Sequence, residues 1–582
     1  MKSKFLIYST TVLSCILLLG SCKKVLDKTN FAAVTPEIAW SDAKFATAYL
    51  NDIYAVMMPG NPTGSGNGTD EGVPYQKQTN NWFLGTATFD SFNAFGQYSN
   101  IRTINILLEN IDKAKFDEAN RKSIKGQGLF WRAWAYYAMV NAHGGVPLIL
   151  KAQEPSVDLT SLALPRNKTS ECVTQIIKDL DDAISMLPES WSGEDIGRID
   201  KGAAMAFKGR VLLFFASPLF NGLGGVANWQ KAYDANLAAK NFLDTHGKGL
   251  MTPYNKIWDQ ELNQEVVMVR RYNYPQATYF QGGLIPLDFS KDDVGYDRPS
   301  LELAKAFPMK DGSSWSDSPR LIDTLFKSRD DRFYETIYYN GSPYQYLSAM
   351  KAANTYLWTY FDKVTDYDSN TGIAGQHNQL TPDPLWSNSS FYRIKAIDKV
   401  NIKDKGSVYN AAVDWPEIRY AEVLMNLGEA ANELNKTNEA LDVLYAIRKR
   451  ANILPGVANN YGITATSTNA IRAVYQNERF VEFAFENKRW NDLRRWKKFD
   501  YLRALPQRHG LGIELKAGET ITKTSDINTA WNKFKYTIIP TDKENITVKD
   551  EYYIYGIPKS VLDRNGKLLQ NNNWGGTFDP LQ

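Results

Sequence analysis

Apolar residues recur at helical spacing through two long blocks of this chain, and between Glu261 and about Asn401 they do not. That contrast constrains the fold more than any single motif, because a repeat near 3.6 residues specifies helices with one apolar face. In the first block the spacing predicts helices from Thr35 to about Met58, Phe92 to Ala114, Asp117 to Asn141, Thr169 to Leu187, Gly202 to Ala216 and Asn228 to Thr245. Thr35-Pro36-Glu37 would open the first with a capping hydroxyl and a proline in the first turn. Gly60 to Gly72 reads as a Gly/Asn/Pro loop. In the second block helices are expected over Trp415–Leu434, Thr437–Asn452 and Ser467–Trp496. The middle is broken by Gly, Pro, Asn and Asp, with short strand candidates at Glu265–Arg270 and Phe333–Tyr339. The tail from Trp531 to Gln582 is loop-like with short strands.

The N-terminus bears on compartment. Lys2 and Lys4 precede an apolar run from Phe5 to Leu19, followed by Gly20, Ser21 and Cys22. A positive start, a short apolar stretch and a small-residue cleavage site make a secretory signal, and a membrane-spanning helix would need roughly 20 apolar residues. Leu18-Leu19-Gly20-Ser21-Cys22 also resembles a bacterial lipobox, which makes Cys22 the expected lipidation site and residues 1–21 the signal peptide. Several acyl chains, each methylene contributing on the order of 0.8 kcal/mol, would anchor the chain stably.

Of the three cysteines, Cys15 would leave with the signal and Cys22 would be acylated, so Cys172 remains alone and no internal disulfide is expected. Stability must then come from apolar burial, which 582 residues can supply. The formal charge of +3 falls to +1 when Lys2 and Lys4 are lost, so nothing in the overall charge favours nucleic acid. The densest basic stretch, Lys488 to Lys498, alternates with Trp490, Leu493 and Trp496 and reads as an amphipathic helix with a solvated face.

Aromatic residues make up 13% of the chain, and many lie in polar, Gly/Asn-rich stretches rather than on apolar stripes. Trp82 follows Thr79-Asn80-Asn81, Trp315 follows Gly312-Ser313-Ser314, and Tyr296 sits in Val294-Gly295-Tyr296-Asp297. Flat rings with a polar edge suit ligands such as sugars, which have apolar faces and many hydroxyls. Most aromatics in a protein this large are expected in the core.

Catalytic patterns are absent: there is no HExxH, GxSxG or P-loop, and His143, His246, His377 and His509 are dispersed without metal-ligand spacing. Glu478, Glu482 and Glu486 share one helix face, but glycosidase chemistry needs two carboxyls flanking a cleft about 5–10 Å apart. With Arg479 and Arg489 nearby, that face reads as ion-paired surface or inter-helix contact. Asp366, Asp368, Asn370 and Gly372 hint at a calcium loop, but the glycine comes one position late and His377 occupies the twelfth position. No cofactor is expected, with a structural cation at Asp366, Asp368 and Asn370 as the minor alternative.

Leu427-Gly428, then Ala440 and Leu444, then Pro455 resemble a tetratricopeptide repeat, in which small residues let two helices cross closely before a break. The stretch from Gly202 to Leu243 is a weaker version. Beyond these, FWRAWAYY (130–137) running into GGVPL (144–148), SLELAKAFPMKDG (300–312), RDDRFYETIYYNG (329–341), WPEIRYAEVLMNLGEA (415–430) and NERFVEFAFENKRWNDLRRW (477–496) resemble, in order, the motifs of the SusD/RagB family of Bacteroidetes outer-membrane lipoproteins.

The resemblance implies a mainly α fold, a tetratricopeptide-like helical-pair scaffold with an irregular, loop-rich lobe containing short strands. It is expected to run continuously over 22–582, with an N-terminal helical part at 22–260, an irregular insertion at 261–401 and a C-terminal region at 402–582. It implies a non-enzymatic surface protein that captures glycans, or peptides in some members, and passes them to a SusC-like TonB-dependent transporter. Matching the family's ligand loops places Asp70 and Trp82 before the Phe92 helix and Tyr98 at its opening; with Tyr296 and Trp315 these are the expected ligand-binding residues. Phe95 stands where the family often has Trp, a departure that bears on ligand class because Phe offers no polar edge.

Overall fold

The computed structural model describes residues 40–582 apart from 74–79, 155, 221–224, 285–296, 316–323, 344–355, 361–366, 369–372, 375–388, 403–404 and 523–524. Cys22, Tyr296, the Thr35-Pro36 cap and the candidate cation residues Asp366 and Asn370 lie outside these residues, as does the side chain of Asp368.

The chain folds mainly into helices. α1 (Ala43–Met57) begins at Asp42, whose carboxylate accepts the Lys44 N–H at 2.8 Å, and buries Ala46, Leu50, Ile53 and Met57 along one face. It starts later than the Thr35 expected, because residues 40–42 form a turn. α2 (Gln97–Ile111), α3 (Glu118–His143) and α4 (Thr169–Met186) follow, α3 packing against both neighbours. Asp117 caps α3 by accepting from Asn120 N–H, and Gly144 at φ 76° ends it in a conformation that other residues rarely adopt. Arg132 of α3 grips Asp179 of α4 through two 2.7 Å hydrogen bonds, both groups buried. α5 (Lys201–Ala216) packs on α6 (Gly225–Thr245), and α6 in turn packs on α7 (Tyr420–Glu433), which joins the two helical blocks.

α7 pairs with α8 (Thr437–Arg450), where the repeat-like signature was expected. Gly428 is required there: a Cβ would sit 1.9 Å from the Tyr475 hydroxyl of α9 (Thr468–Glu482). That hydroxyl donates to the Ala440 carbonyl of α8 at 2.6 Å, so one tyrosine ties three helices together. One core cluster draws on α1 through α9 and on tail residues such as Ile557, while a second gathers Leu301, Phe333, Phe480 and Phe485 with the hairpin His509–Leu515 and Phe534–Pro540.

Three expectations need correction. Trp415–Arg419 is a strand paired antiparallel to Val266–Arg270, and the helix begins only at Tyr420. Within Phe333–Tyr339, residues up to Thr336 belong to the short helix Asp331–Thr336 and only Ile337–Tyr338 is strand. The long helix expected to Trp496 breaks after Glu482: Phe485 and Asn487 take φ of 60° and 57°, and α10 (Arg489–Arg495) starts as a separate helix. Positive φ at these two residues is incompatible with a continuing right-handed helix.

Candidate functional site

Glu478 and Glu482 on α9, and Glu486 in the break that follows it, are buried in contacts between elements, the second of the two readings expected for them, and are not ion-paired surface. Glu478 binds Arg332 at 2.7 Å and Arg448 at 2.9 Å. Glu482 binds Arg419 at 2.6 Å, Arg332 at 3.0 Å and also Arg450. Glu486 binds Lys395 at 2.6 Å and Arg419 at 2.8 Å. Burial alone would raise the pKa of Glu482, but Arg450, Arg419 and Arg332 outweigh it and hold it well below the usual carboxylate range. Carboxylates so held do not donate protons near neutral pH. This lattice joins α9 and α8 to the strand Trp415–Arg419 and to the short helix at Arg332; it is structural. α10 needs the same correction, since Arg489, Arg494 and Arg495 are buried rather than solvated.

Beside the lattice opens a cleft of about 410 Å³. Trp134 and Tyr137 are three residues apart on α3, which puts both rings on one helix face, and each is half-buried. Trp490 of α10 is also half-buried; its indole N–H donates to the Tyr555 hydroxyl at 2.5 Å. Phe92 stands on the rim, 42% exposed, its ring 4.8 Å from that of Tyr555. The polar side is Arg210 of α5, Glu417, Glu422, Lys488, Asn487 and Asn491.

These charges are organised. Arg210 forks onto Glu422 at 2.6 and 2.8 Å and reaches Glu417 at 2.8 Å, while Lys488 bridges Glu417 at 3.2 Å and Glu422 at 3.4 Å. Burial works to raise the Glu422 pKa, and Arg210 with Lys488 overcomes it, so the carboxylate stays ionised. The helix break at Phe485–Asn487 is what delivers Lys488 and Trp490 to the same opening. The cleft thus offers flat aromatic faces beside fixed amides and ion-paired groups.

Of the expected ligand residues, the four that are described line no part of this cleft. Asp70 is 0% exposed, and both its oxygens are taken by Arg489, at 2.8 and 2.6 Å, so it offers nothing to a ligand. Trp82 is half-buried, edge-on to Tyr552 at 5.0 Å and against Tyr555 at 4.7 Å; Tyr555 lines the cleft and Trp82 does not. Tyr98 is half-buried, donates to the Pro147 carbonyl at 2.8 Å, and borders another groove of about 290 Å³. Trp315 lies against the second core with Lys305 Nζ 5.4 Å from its ring centre. His143 is a core residue, its Nε2 accepting the Ala94 N–H at 3.1 Å. Sequence reading did not single out Trp134, Tyr137, Arg210 or Lys488 as site residues; the only signal was that three of them fall in the quoted motifs.

Among the described residues, no three histidine, cysteine or carboxylate side chains are grouped to hold a metal ion, and no helix is long and apolar enough to cross a membrane. The sequence profile of the SusD family matches residues 255–574. The chain belongs to the SusD family. A second profile, described as starch-binding associating with outer membrane, matches residues 67–213. A SusD-like protein of Formosa agariphila is 23% identical over 532 residues, covering 85% of this chain and 92% of that one. A SusD-like protein of Bacteroides fragilis superposes with TM-score 0.72 at 24% identity, covering 91% of this chain and 97% of that one. A SusD-like carbohydrate binding protein of the same species gives 0.68 at 21%, covering 91% and 99%. A laminarin-binding SusD-like protein gives 0.55 at 19%, again covering 91% and 99%. The SusD fold accounts for the mainly helical scaffold with its few short strands.

Proposed function

We propose that this SusD-family protein is a lipoprotein held at the outer-membrane surface through acylated Cys22. It captures glycans in the cleft between Trp134 and Trp490 and delivers them to a SusC-like TonB-dependent transporter. The observation carrying the reading is the cleft itself. About 410 Å³ falls within the range of small-ligand sites, and half-exposed Trp134, Tyr137 and Trp490 beside Asn491 and the Arg210–Glu417–Lys488 group combine stacking faces with fixed hydrogen-bonding groups. The carbohydrate-binding and laminarin-binding relatives support the ligand class, and the starch-binding, outer-membrane description of the matched profile supports the location. On this reading the protein turns nothing over and needs no cofactor.

The test is calorimetric titration of the mature chain with a panel of oligosaccharides and peptides. Saturable oligosaccharide binding, weakened at least tenfold by Trp490→Ala, is expected. Binding confined to peptides, or unchanged by that substitution, overturns the reading.

A further inference from the structure

Arg298 lies in the strand Arg298–Pro299, is 1% exposed, and among the described residues finds no hydrogen-bond acceptor for Nε, Nη1 or Nη2. The comparably buried Arg329, Arg332, Arg393, Arg419, Arg494 and Arg508 each reach a carboxylate or a backbone carbonyl. Guanidinium groups keep their proton throughout the physiological range, so burial is not relieved by neutralisation, and an unanswered buried charge is costly.

The surroundings of Arg298 show what is missing. Its guanidinium carbon stands 3.9 Å from the centre of the Tyr392 ring, a contact that answers the face of the cation and leaves the in-plane N–H groups free. The neighbouring carboxylate, Asp297, is committed: it binds Arg393 at 2.9 Å and accepts the N–H groups of Gly64 and Gly66 at 3.0 and 2.8 Å. Two more buried donors flank the small core that contains Tyr392. Gln281 Nε2 and Asn340 Nδ2 are likewise without acceptors among the described residues. For these three groups the shortfall is of acceptors.

We propose that Arg298 binds an oxyanion, a carboxylate or sulfate group seated in the plane of the guanidinium, where two parallel N–H donors match two oxygens. Such a group has two sources: an acidic substituent of a glycan that extends beyond the cleft proposed above, whose lining does not include Arg298, which rests on that function, or a free inorganic anion, which does not.

The experiment uses the mature chain and its Arg298→Met variant, melted in sodium sulfate and in sodium chloride at matched ionic strength. Sulfate stabilises proteins generally by exclusion from their surface, so only a saturating rise present in wild type and absent in the variant counts. That difference is the expected result. Where Arg298→Met does not fold, anomalous scattering from wild-type crystals soaked in selenate decides, with a peak expected against Arg298. Equal melting responses, or no peak there, overturn the proposal. Oligosaccharides bearing uronate or sulfate that displace sulfate, where neutral ones do not, identify the ligand as the source. Sulfate binding that no oligosaccharide displaces identifies the free anion. If no glycan binds at all while sulfate still does, the glycan reading fails and the Arg298 site stands.

Discussion

Asp70 and Arg489 face each other across 419 positions of sequence and close a doubly hydrogen-bonded ion pair, at 2.8 and 2.6 Å, inside the protein. The pair fastens the loop after α1 to the first turn of α10, while the guanidinium also lies 3.9 Å from the centre of the Phe480 ring. Removing one partner of a buried pair leaves the other charge unanswered, which costs about 3–5 kcal/mol. Asp70→Ala is therefore expected to lose stability of that order in urea unfolding. A variant of unchanged stability that had lost ligand affinity would return Asp70 to the binding site.

How legible this was in the sequence depends on range. The helices could be read because capping and apolar spacing are local: Asp117 before α3 and the Ala46–Leu50–Ile53–Met57 stripe of α1 need no distant information. Trp415–Arg419 could not be assigned to a strand, because its partner Val266–Arg270 lies well over a hundred residues earlier and WPEIRYAEVL also fits a helical repeat. The basic stretch from Lys488 was read outward, and surface stood as one of two readings for the glutamates, since Glu and Arg are rarely fully buried unless paired, and the pairing partners Arg332, Lys395 and Arg419 come from separate elements. The cleft was hidden for the same reason: its walls come from α3, α5, the strand before α7 and the break before α10.

Glu71 and His143 predict opposite pH dependences. Burial, then the Asp70 charge, pushes the Glu71 carboxyl up to about 8 from 4.5, so the folded state holds a proton that the unfolded chain releases. This contribution is fully present below about pH 4.5 and is lost as pH rises toward 8, at about 1.4 kcal/mol per unit at most. From pH 6.5 to 8 wild-type stability should fall relative to Glu71→Gln. Parallel urea-unfolding curves for the two proteins over that window would remove Glu71 as the cause.

His143 acts in the other direction. Burial drives its pKa down to about 3 from 6.5, so below pH 6.5 the unfolded chain takes up a proton that the folded one refuses. Stability from this residue is intact above pH 6.5 and is lost as pH falls toward 3, again by roughly 1.4 kcal/mol per unit. His143→Gln should flatten that part of the acid limb when unfolding is followed from pH 7 to 4. An unchanged slope would mean that other groups set it.

The anchor has a direct test. Cys22→Ala is expected to leave the protein unlipidated and released from outer-membrane fractions, whereas the unaltered chain should be recovered in mild detergent in a complex larger than its own 65.8 kDa. A variant that still sediments with membranes in high salt would count against lipidation.

The last prediction sets Trp490 against Trp315. Trp490 stacks on Phe499 at 5.2 Å on one side and opens to the cleft on the other, so Trp490→Phe keeps an aromatic ring while deleting the donor to Tyr555. Trp490→Ala removes the stacking face as well. If the cleft holds the ligand, the phenylalanine variant keeps most of the affinity, and the alanine variant loses at least tenfold, or about 1.4 kcal/mol. Trp315 packs against the second core, with its indole N–H buried and unpaired, and lines no part of the cleft. Trp315→Ala should therefore lower the melting temperature and spare affinity. Titration and melting of the three variants separate the alternatives. Affinity lost in Trp315→Ala and kept in Trp490→Ala would move the glycan site to the loop-rich lobe.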